Sequence, residues 1–157
     1  MDIIKIESYH NGQEIEINKL IKKVYDEFVA IDYTDEGNKF FYDWIEPSKI
    51  AERQKKQNNI LVAIANSKLV GMIEIRENKY ISLLFVDKEY QGQGIAKKLF
   101  YKSLKTCIKR DATLEKFYVH ASPFSIPIYI KLGFVETDIM QEQFGIKYLP
   151  MEMKIYK

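Results

Sequence analysis

The sequence predicts an α/β fold. One domain is expected over residues 1–157, with a mixed, mostly antiparallel central sheet of about seven strands and about four helices. Three observations carry this. Apolar residues recur at helical spacing over 14–30, and then become continuous or alternating over 59–86. The turn sequences "NSK" and "ENK" cut that second stretch into three strand-length runs. A glycine-rich turn, "QGQG", then separates the last run from a long amphipathic segment. The expected order is β-α-α-β-β-β-α-β-α-β-β.

Residues 2–8, "DIIKIES", alternate well enough for a first strand. Over 14–30, Ile15, Ile17, Leu20, Ile21, Val24, Phe28 and Val29 form a helical stripe. The segment "YTDEGNKFFYDWIEPSKIAERQKKQ" reads as a second, broken helical region, with Asp35 placed to cap one piece and Pro47 dividing it. It holds the only tryptophan, Trp44, beside Phe40, Phe41 and Tyr42, which are candidates for lining a cleft. The runs 59–65, 69–76 and 80–86 predict an antiparallel meander. The third, "YISLLFV", is apolar enough for a central strand covered on both faces.

A helix is expected over 93–109, with Ile95, Leu99, Phe100, Leu104, Cys107 and Ile108 inward and Lys97, Lys98, Lys102 and Lys105 mostly outward. Strand 114–121 follows, then a short helix over 124–132 stopped by Gly133. "FVETDIMQ" and "IKYLPMEMKIY" close the chain as two strands.

Composition removes several function classes. With 24 basic and 22 acidic residues interleaved, the net charge is +2, which offers neither a nucleic-acid stripe nor a polybasic membrane patch. One cysteine, Cys107, excludes an internal disulfide and a cysteine-rich zinc site; no metal is expected. No apolar run reaches the length of a membrane span, and "MDIIKIESYH" does not resemble a signal peptide, so a cytoplasmic location is expected.

The loop "EYQGQGIAKKLF" (89–100) carries the chemistry. A phosphate cradle needs backbone N–H groups aimed at the anion and side chains too small to block it, and the first turn of a helix supplies such groups with a partial positive charge. Gly92, Gly94 and Ala96 meet this requirement. A Walker loop would need Gly-Lys-Ser/Thr, and a dinucleotide fingerprint would need a small residue where Lys97 stands. Neither pattern is present.

"LLFVDKEYQGQGIAKKLF" instead resembles the coenzyme-A loop of the GNAT superfamily of N-acetyltransferases, Gln/Arg-x-x-Gly-x-Gly/Ala, filled by Gln91, Gly94 and Ala96. A second block, "ASPFSIPIYIKLGFVE", is similar to that family's short helix with a tyrosine four residues before Gly-Phe: Tyr129, Gly133 and Phe134. The two blocks stand in the right order, and the element order also resembles the GNAT fold.

The resemblance implies acetyl-CoA as co-substrate. Its pyrophosphate would sit on the loop Gln91, Gly92, Gln93, Gly94, Ile95 and Ala96, with Lys97 near the phosphates. Its pantetheine arm would lie against the backbone of Leu84, Phe85 and Val86, and an amide near Leu84 would polarise the thioester carbonyl. It also implies Tyr129 as proton donor to the departing sulfur. Where the family often has an asparagine on the pantetheine arm, this sequence has Ser122, with Ser125 nearby.

An alkylamine acceptor is only about 0.04% neutral at pH 7, so a base helps. Glu74, in "GMIEIR" on the neighbouring strand, is the expected base, with His120 as the alternative; His10 reads as a surface residue. The implied activity is acetyl transfer to a primary amine of a small molecule or peptide, with homodimerisation a family habit. The rival reading is a non-catalytic acyl-CoA-binding or sensing module, against which the presence of Tyr129 weighs.

Overall fold

Two tight hairpins set the register of the sheet. Asn66 and Ser67 (φ +50° and +62°) and Glu77 and Asn78 (φ +53° and +60°) hold the paired left-handed conformation whose twist matches antiparallel strands. They join β2 (Ile60–Ala65), β3 (Lys68–Arg76) and β4 (Tyr80–Val86) into the expected meander. The structure is a computed structural model that describes residues 3–156.

β1 (Ile4–Ser8) pairs antiparallel with β2 at one edge. The far side is built from β5 (Lys116–Ala121), β6 (Val135–Glu136), β7 (Gln141–Gln143) and β8 (Ile146–Lys154). The strand order is β1-β2-β3-β4-β5-β8-β6, with β7 forming a hairpin onto the start of β8. All pairings are antiparallel except β4 with β5. The expected order therefore holds, with more pieces. The "FVETDIMQ" strand divides into β6 and β7, and the broken helical region resolves into two helices. Asp2, placed at the start of the first strand by the pattern, lies outside the described residues.

Helices cover both faces. α1 (Glu14–Phe28), α2 (Asp35–Trp44) and α3 (Pro47–Lys56) lie on one. Their core joins Ile17, Ile21, Val24, Ile45 and Ile50 to Val62, Met72 and Leu83 of the sheet. α4 (Ile95–Arg110) and α5 (Ile126–Leu132) lie on the other, over Ile73, Ile75, Phe117 and Val119. Each fully buried side chain of this size contributes roughly 1.5–3 kcal/mol. Cys107 is buried among them, which pushes its thiol up to about 11 and leaves it inert.

Several expected boundaries move. α4 begins at Ile95 and not at 93, because Gly94 takes a left-handed conformation (φ +80°) as its N-cap. Thr34, not Asp35, caps α2: its Oγ1 accepts from the Gly37 amide at 3.1 Å. α5 begins at Ile126 after a single tight turn over Pro123–Ser125.

Candidate active site

β4 and β5 start together and then part. They pair in parallel only at Tyr80–Tyr118 and Ile81–Val119. Immediately beyond, β4 gains one residue against β3: Ile75 faces Ile81 while Glu74 faces Leu83, so Ser82 is a bulge. A bulge bends and twists its strand, and here it coincides with the point where β5 is lost. The gap between the diverging strands is a cleft of about 590 Å³. Both cores reach it, since Val24 and Tyr25 line it from one face of the sheet and Ile95 and Tyr129 from the other.

The bulge leaves backbone groups without a strand partner. Asp87 N–H donates to the Val70 carbonyl of β3 at 2.8 Å, which makes alternate residues Phe85 and Leu83 the hydrogen-bonded partners of β3. The N–H and C=O groups of Leu84 and Val86 therefore turn toward the cleft. Phe85 does not present its backbone there, contrary to the sequence expectation. It reaches the cleft wall with its ring.

Val86 leads into the glycine loop. The Gln91 side chain folds back, its Nε2 donating to the Val86 carbonyl at 3.0 Å, and so fixes the loop against the end of β4. From Gly92 to Lys97 no backbone amide donates to any protein acceptor among the described residues, and the first bond of the helix is Lys98 N–H to the Gly94 carbonyl at 3.0 Å. Gly92 and Gly94 both have left-handed φ (+81° and +80°), and a Cβ on either would point into open space. Consecutive free amides at a helix start, with glycines in place of blocking side chains, are the geometry an anion requires. Gly92, Gly94, Ile95 and Ala96 line the cleft; Gln93 and Lys97 are exposed on the same turn without lining it.

Tyr129, on α5, is buried with its ring edge-on to Phe134 (centroids 5.5 Å apart), which in turn meets Phe100 at 5.5 Å. The residue lines the cleft, and its hydroxyl bonds no protein group among the described residues. Burial, and then the neighbouring Tyr33, raise its pKa far above the ordinary 10, so the proton stays on the oxygen. Ser122 and Ser125 line the cleft beside it, joined by an Oγ–Oγ hydrogen bond of 2.9 Å, and Ser125 also donates to the Ser122 carbonyl at 3.0 Å.

Glu74 is elsewhere. It is 3% exposed on the α1–α3 face and does not line the cleft. Arg53 of α3 grips both of its oxygens, Nε to Oε2 and Nη2 to Oε1 at 3.0 Å each, and Gln54 Nε2 adds a bond of 2.8 Å. Arg53 is itself held by the Trp44 carbonyl at 2.8 Å and by the Trp44 ring, 4.2 Å from its guanidinium. The expected base is thus a buried clamp between β3 and α3. His120 does line the cleft, stacked on Tyr148 at 4.3 Å. Desolvation, and then Arg76, lower its pKa from 6.5, so the imidazole is neutral at pH 7.

Of the aromatic cluster near residue 41, only Phe41 reaches the cleft. Phe40 stacks outside on Phe144 (5.7 Å), Tyr42 hydrogen-bonds Asp26, and Trp44 serves Arg53. Tyr25, Tyr33 and Phe85 complete the wall: Tyr25 stacks on Phe41 at 3.9 Å, Tyr33 stands edge-on to Tyr25 at 5.8 Å, and Phe85 tilts toward Phe41 at 6.1 Å. The sequence pattern missed Tyr25 and Tyr33. Tyr25 falls on the buried stripe of α1 and was findable as such; nothing local marks Tyr33. Tyr33 is held through its neighbour, because Thr34 N–H donates to the Gly145 carbonyl of the β7–β8 turn at 3.0 Å. Burial, and then Asp32, push the Tyr33 hydroxyl up to about 12, partly offset by the nearby Ser122 hydroxyl.

Known proteins resemble this arrangement. The family model for the acetyltransferase (GNAT) domain matches residues 29–155. The uncharacterized N-acetyltransferase YafP of Escherichia coli K12 is 38% identical over 90 residues, 57% of this chain and 54% of that protein. The human cysteine-rich protein 2-binding protein is 37% identical over 91 residues, 58% of this chain but 11% of its own length. The chain thus spans about half the length of the first and about a tenth of the second.

Among solved structures, a GCN5-related N-acetyltransferase of Rhodopseudomonas palustris superposes with a TM-score of 0.83 at 19% identity, covering 99% of this chain and 98% of the other. The PaiA N-acetyltransferase of Thermoplasma acidophilum, solved in complex with coenzyme A, gives 0.79 at 20% identity over 98% and 99%. At those identities the two structures speak for the fold, and the family match speaks for the lineage: the chain belongs to the GNAT family of acetyltransferases.

Proposed function

We propose that the protein transfers the acetyl group of acetyl-CoA to a primary amine of a small molecule or peptide, by direct attack with both substrates bound. The observation that carries this reading is the run of unbonded amides from Gly92 to Lys97, laid at the end of a strand whose Leu84 and Val86 backbone faces an open cleft. A diphosphate fits the first feature and an extended amide-bearing arm fits the second. Bound there, acetyl-CoA supplies an acetyl group activated as a thioester.

The chain's own residues then divide the work. The loop from Gln91 to Lys97 holds the phosphates, Gln91 by bracing the loop on Val86 and the others by their amides and the helix dipole. Leu84 and Val86 bind the arm through main-chain groups, and the Leu84 amide, which the β3 register leaves unpaired, donates to the acetyl carbonyl on this reading. Ser122 and Ser125 supply hydroxyls where the family often uses an amide side chain. The Tyr129 hydroxyl keeps its proton and holds it inside the cleft, available to the leaving sulfur. His120, neutral at pH 7, takes the proton from the attacking amine in place of the engaged Glu74.

Calorimetric titration of acetyl-CoA, run beside coenzyme-A release over a panel of amines, tests the reading. Saturable binding with release in the presence of one amine class supports it. An absence of acetyl-CoA binding would overturn it, and binding without release from any amine would leave the sensing module.

A further inference from the structure

Among the described residues, no Asp, Glu, Lys or Arg lines the cleft. The nearby carboxylates are engaged elsewhere. Glu74 is gripped by Arg53 and Gln54, Asp26 by the Tyr42 hydroxyl, Asp87 by Lys23 (3.4 Å) and Lys68 (3.8 Å), and Glu27 by Lys88 (2.7 Å). Three charges influence lining residues without lining the cleft themselves: Asp26 near Tyr25, where it already accepts from the Tyr42 hydroxyl, Asp32 beside Tyr33, and Arg76 beside His120. Tyr25, Tyr33, Phe41 and Phe85 form one connected run of rings along the cleft.

From this we infer, on the acetyl-transfer reading above, that the acceptor is a primary amine on an aromatic or apolar body, and that polyamines and aminoglycosides are poor substrates. The reason is the counter-charge. A monoamine brings one ammonium, which is the reacting group and is neutralised when it loses its proton. A polyamine or aminoglycoside brings further ammonium groups that must leave water, and no carboxylate among the described residues lines this wall to receive them. An aryl group, by contrast, replaces water against Tyr25, Phe41 and Phe85 and gains edge and stacking contacts there.

The wild-type protein with saturating acetyl-CoA decides the matter. Coenzyme-A release is measured with 2-phenylethylamine and tryptamine against spermidine and kanamycin. The expected result is a kcat/KM for at least one aromatic amine that is ~10²-fold or more above both polycations, as a site that strands unpaired groups rejects a substrate far more sharply than one that merely fits it loosely. Equal or better rates with spermidine or kanamycin overturn the inference, and so does silence from both aromatic amines.

Titration of acetyl-CoA alone in the same preparation keeps the two readings apart. Binding retained under either adverse result leaves the coenzyme site standing and removes only the acceptor class, whereas lost binding removes the coenzyme site itself. Phe41→Leu supplies an independent check. It should raise KM for the preferred aromatic amine ~10-fold, with kcat and acetyl-CoA affinity little changed; an unchanged KM takes the wall out of acceptor recognition.

Discussion

The glycine loop at 91–96 and the aromatic wall of Tyr25, Tyr33 and Phe41 border one cleft, yet they use different parts of the amino acid. The loop works with backbone: free amides, left-handed glycines and a helix dipole. The wall works with side chains drawn from α1, from the turn after it and from α2, and it is assembled by long-range contacts. A backbone site needs small residues at fixed spacing, so it writes a motif into the sequence. A side-chain site built from several elements needs only that each ring arrive, and several sequences satisfy that. On the proposed function, the loop serves the coenzyme and the wall serves the acceptor.

The largest effect should come from the loop. Gly94→Glu puts a carboxylate before the free amides and forces a side chain into a left-handed conformation (φ +80°) that costs about 1 kcal/mol. Acetyl-CoA binding should fall by ~10²-fold or more in titration while the far-ultraviolet circular dichroism is kept. Undiminished affinity would end the comparison, because the loop would no longer be the anion site.

Tyr129→Phe tests the chemistry between loop and wall. Turnover should drop ~10²-fold with acetyl-CoA affinity little changed, as expected for loss of a general acid. If turnover is unaltered, Tyr129 is a packing residue against Phe134.

Glu74→Gln should act on folding and not on catalysis. Breaking a buried pair by neutralising one member costs about 3 kcal/mol, so the urea midpoint should fall visibly, with turnover per folded molecule within ~3-fold of wild type. A collapse of turnover in a stably folded variant would restore Glu74 as the base.

Gly37→Ala probes how the wall is held. A Cβ there would sit 2.3 Å from the Gly145 carbonyl oxygen, so the α2 start and the β7–β8 turn must separate. Overpacking of this kind costs about 1–3 kcal/mol, and KM for the acceptor should rise more than the acetyl-CoA dissociation constant does. Equal effects on both would mean that the wall and the loop are not independent.

The smallest effect concerns His120. Its folded pKa is depressed, so the neutral imidazole persists above that value and is lost as pH falls through it. The kcat/KM profile should therefore show an acid limb below pH 6.5, which His120→Gln removes along with ~10-fold of the rate at neutral pH. An acid limb that survives the substitution would assign the proton to another route.

Legibility followed the range of the interaction. The hairpins at Asn66–Ser67 and Glu77–Asn78, the glycine loop and the αL stop at Gly133 are local events, each fixed by a few adjacent residues, and each was readable in the chain. Glu74 shows where such reading stops. Alternation placed it correctly on the face of Met72, but which helix covers that face depends on Arg53, 21 residues earlier. The backbone role of Phe85 failed for a related reason, since the direction of its N–H depends on pairing with β3 and not on its own side chain. Tyr33 was invisible because Gly145, at the opposite end of the chain, holds its neighbour.

The sequence by itself determined the order of elements, the glycine loop and the tyrosine of α5, because spacing, glycine conformation and amphipathicity are properties of neighbouring residues. Only the tertiary structure decided which face of β4 opens into a cleft, that Glu74 is locked away from it, and that its wall is aromatic and uncharged. Those depend on a bulge that separates two strands and on helices that bring distant rings together, and burial is a sum over the whole fold that no short segment encodes.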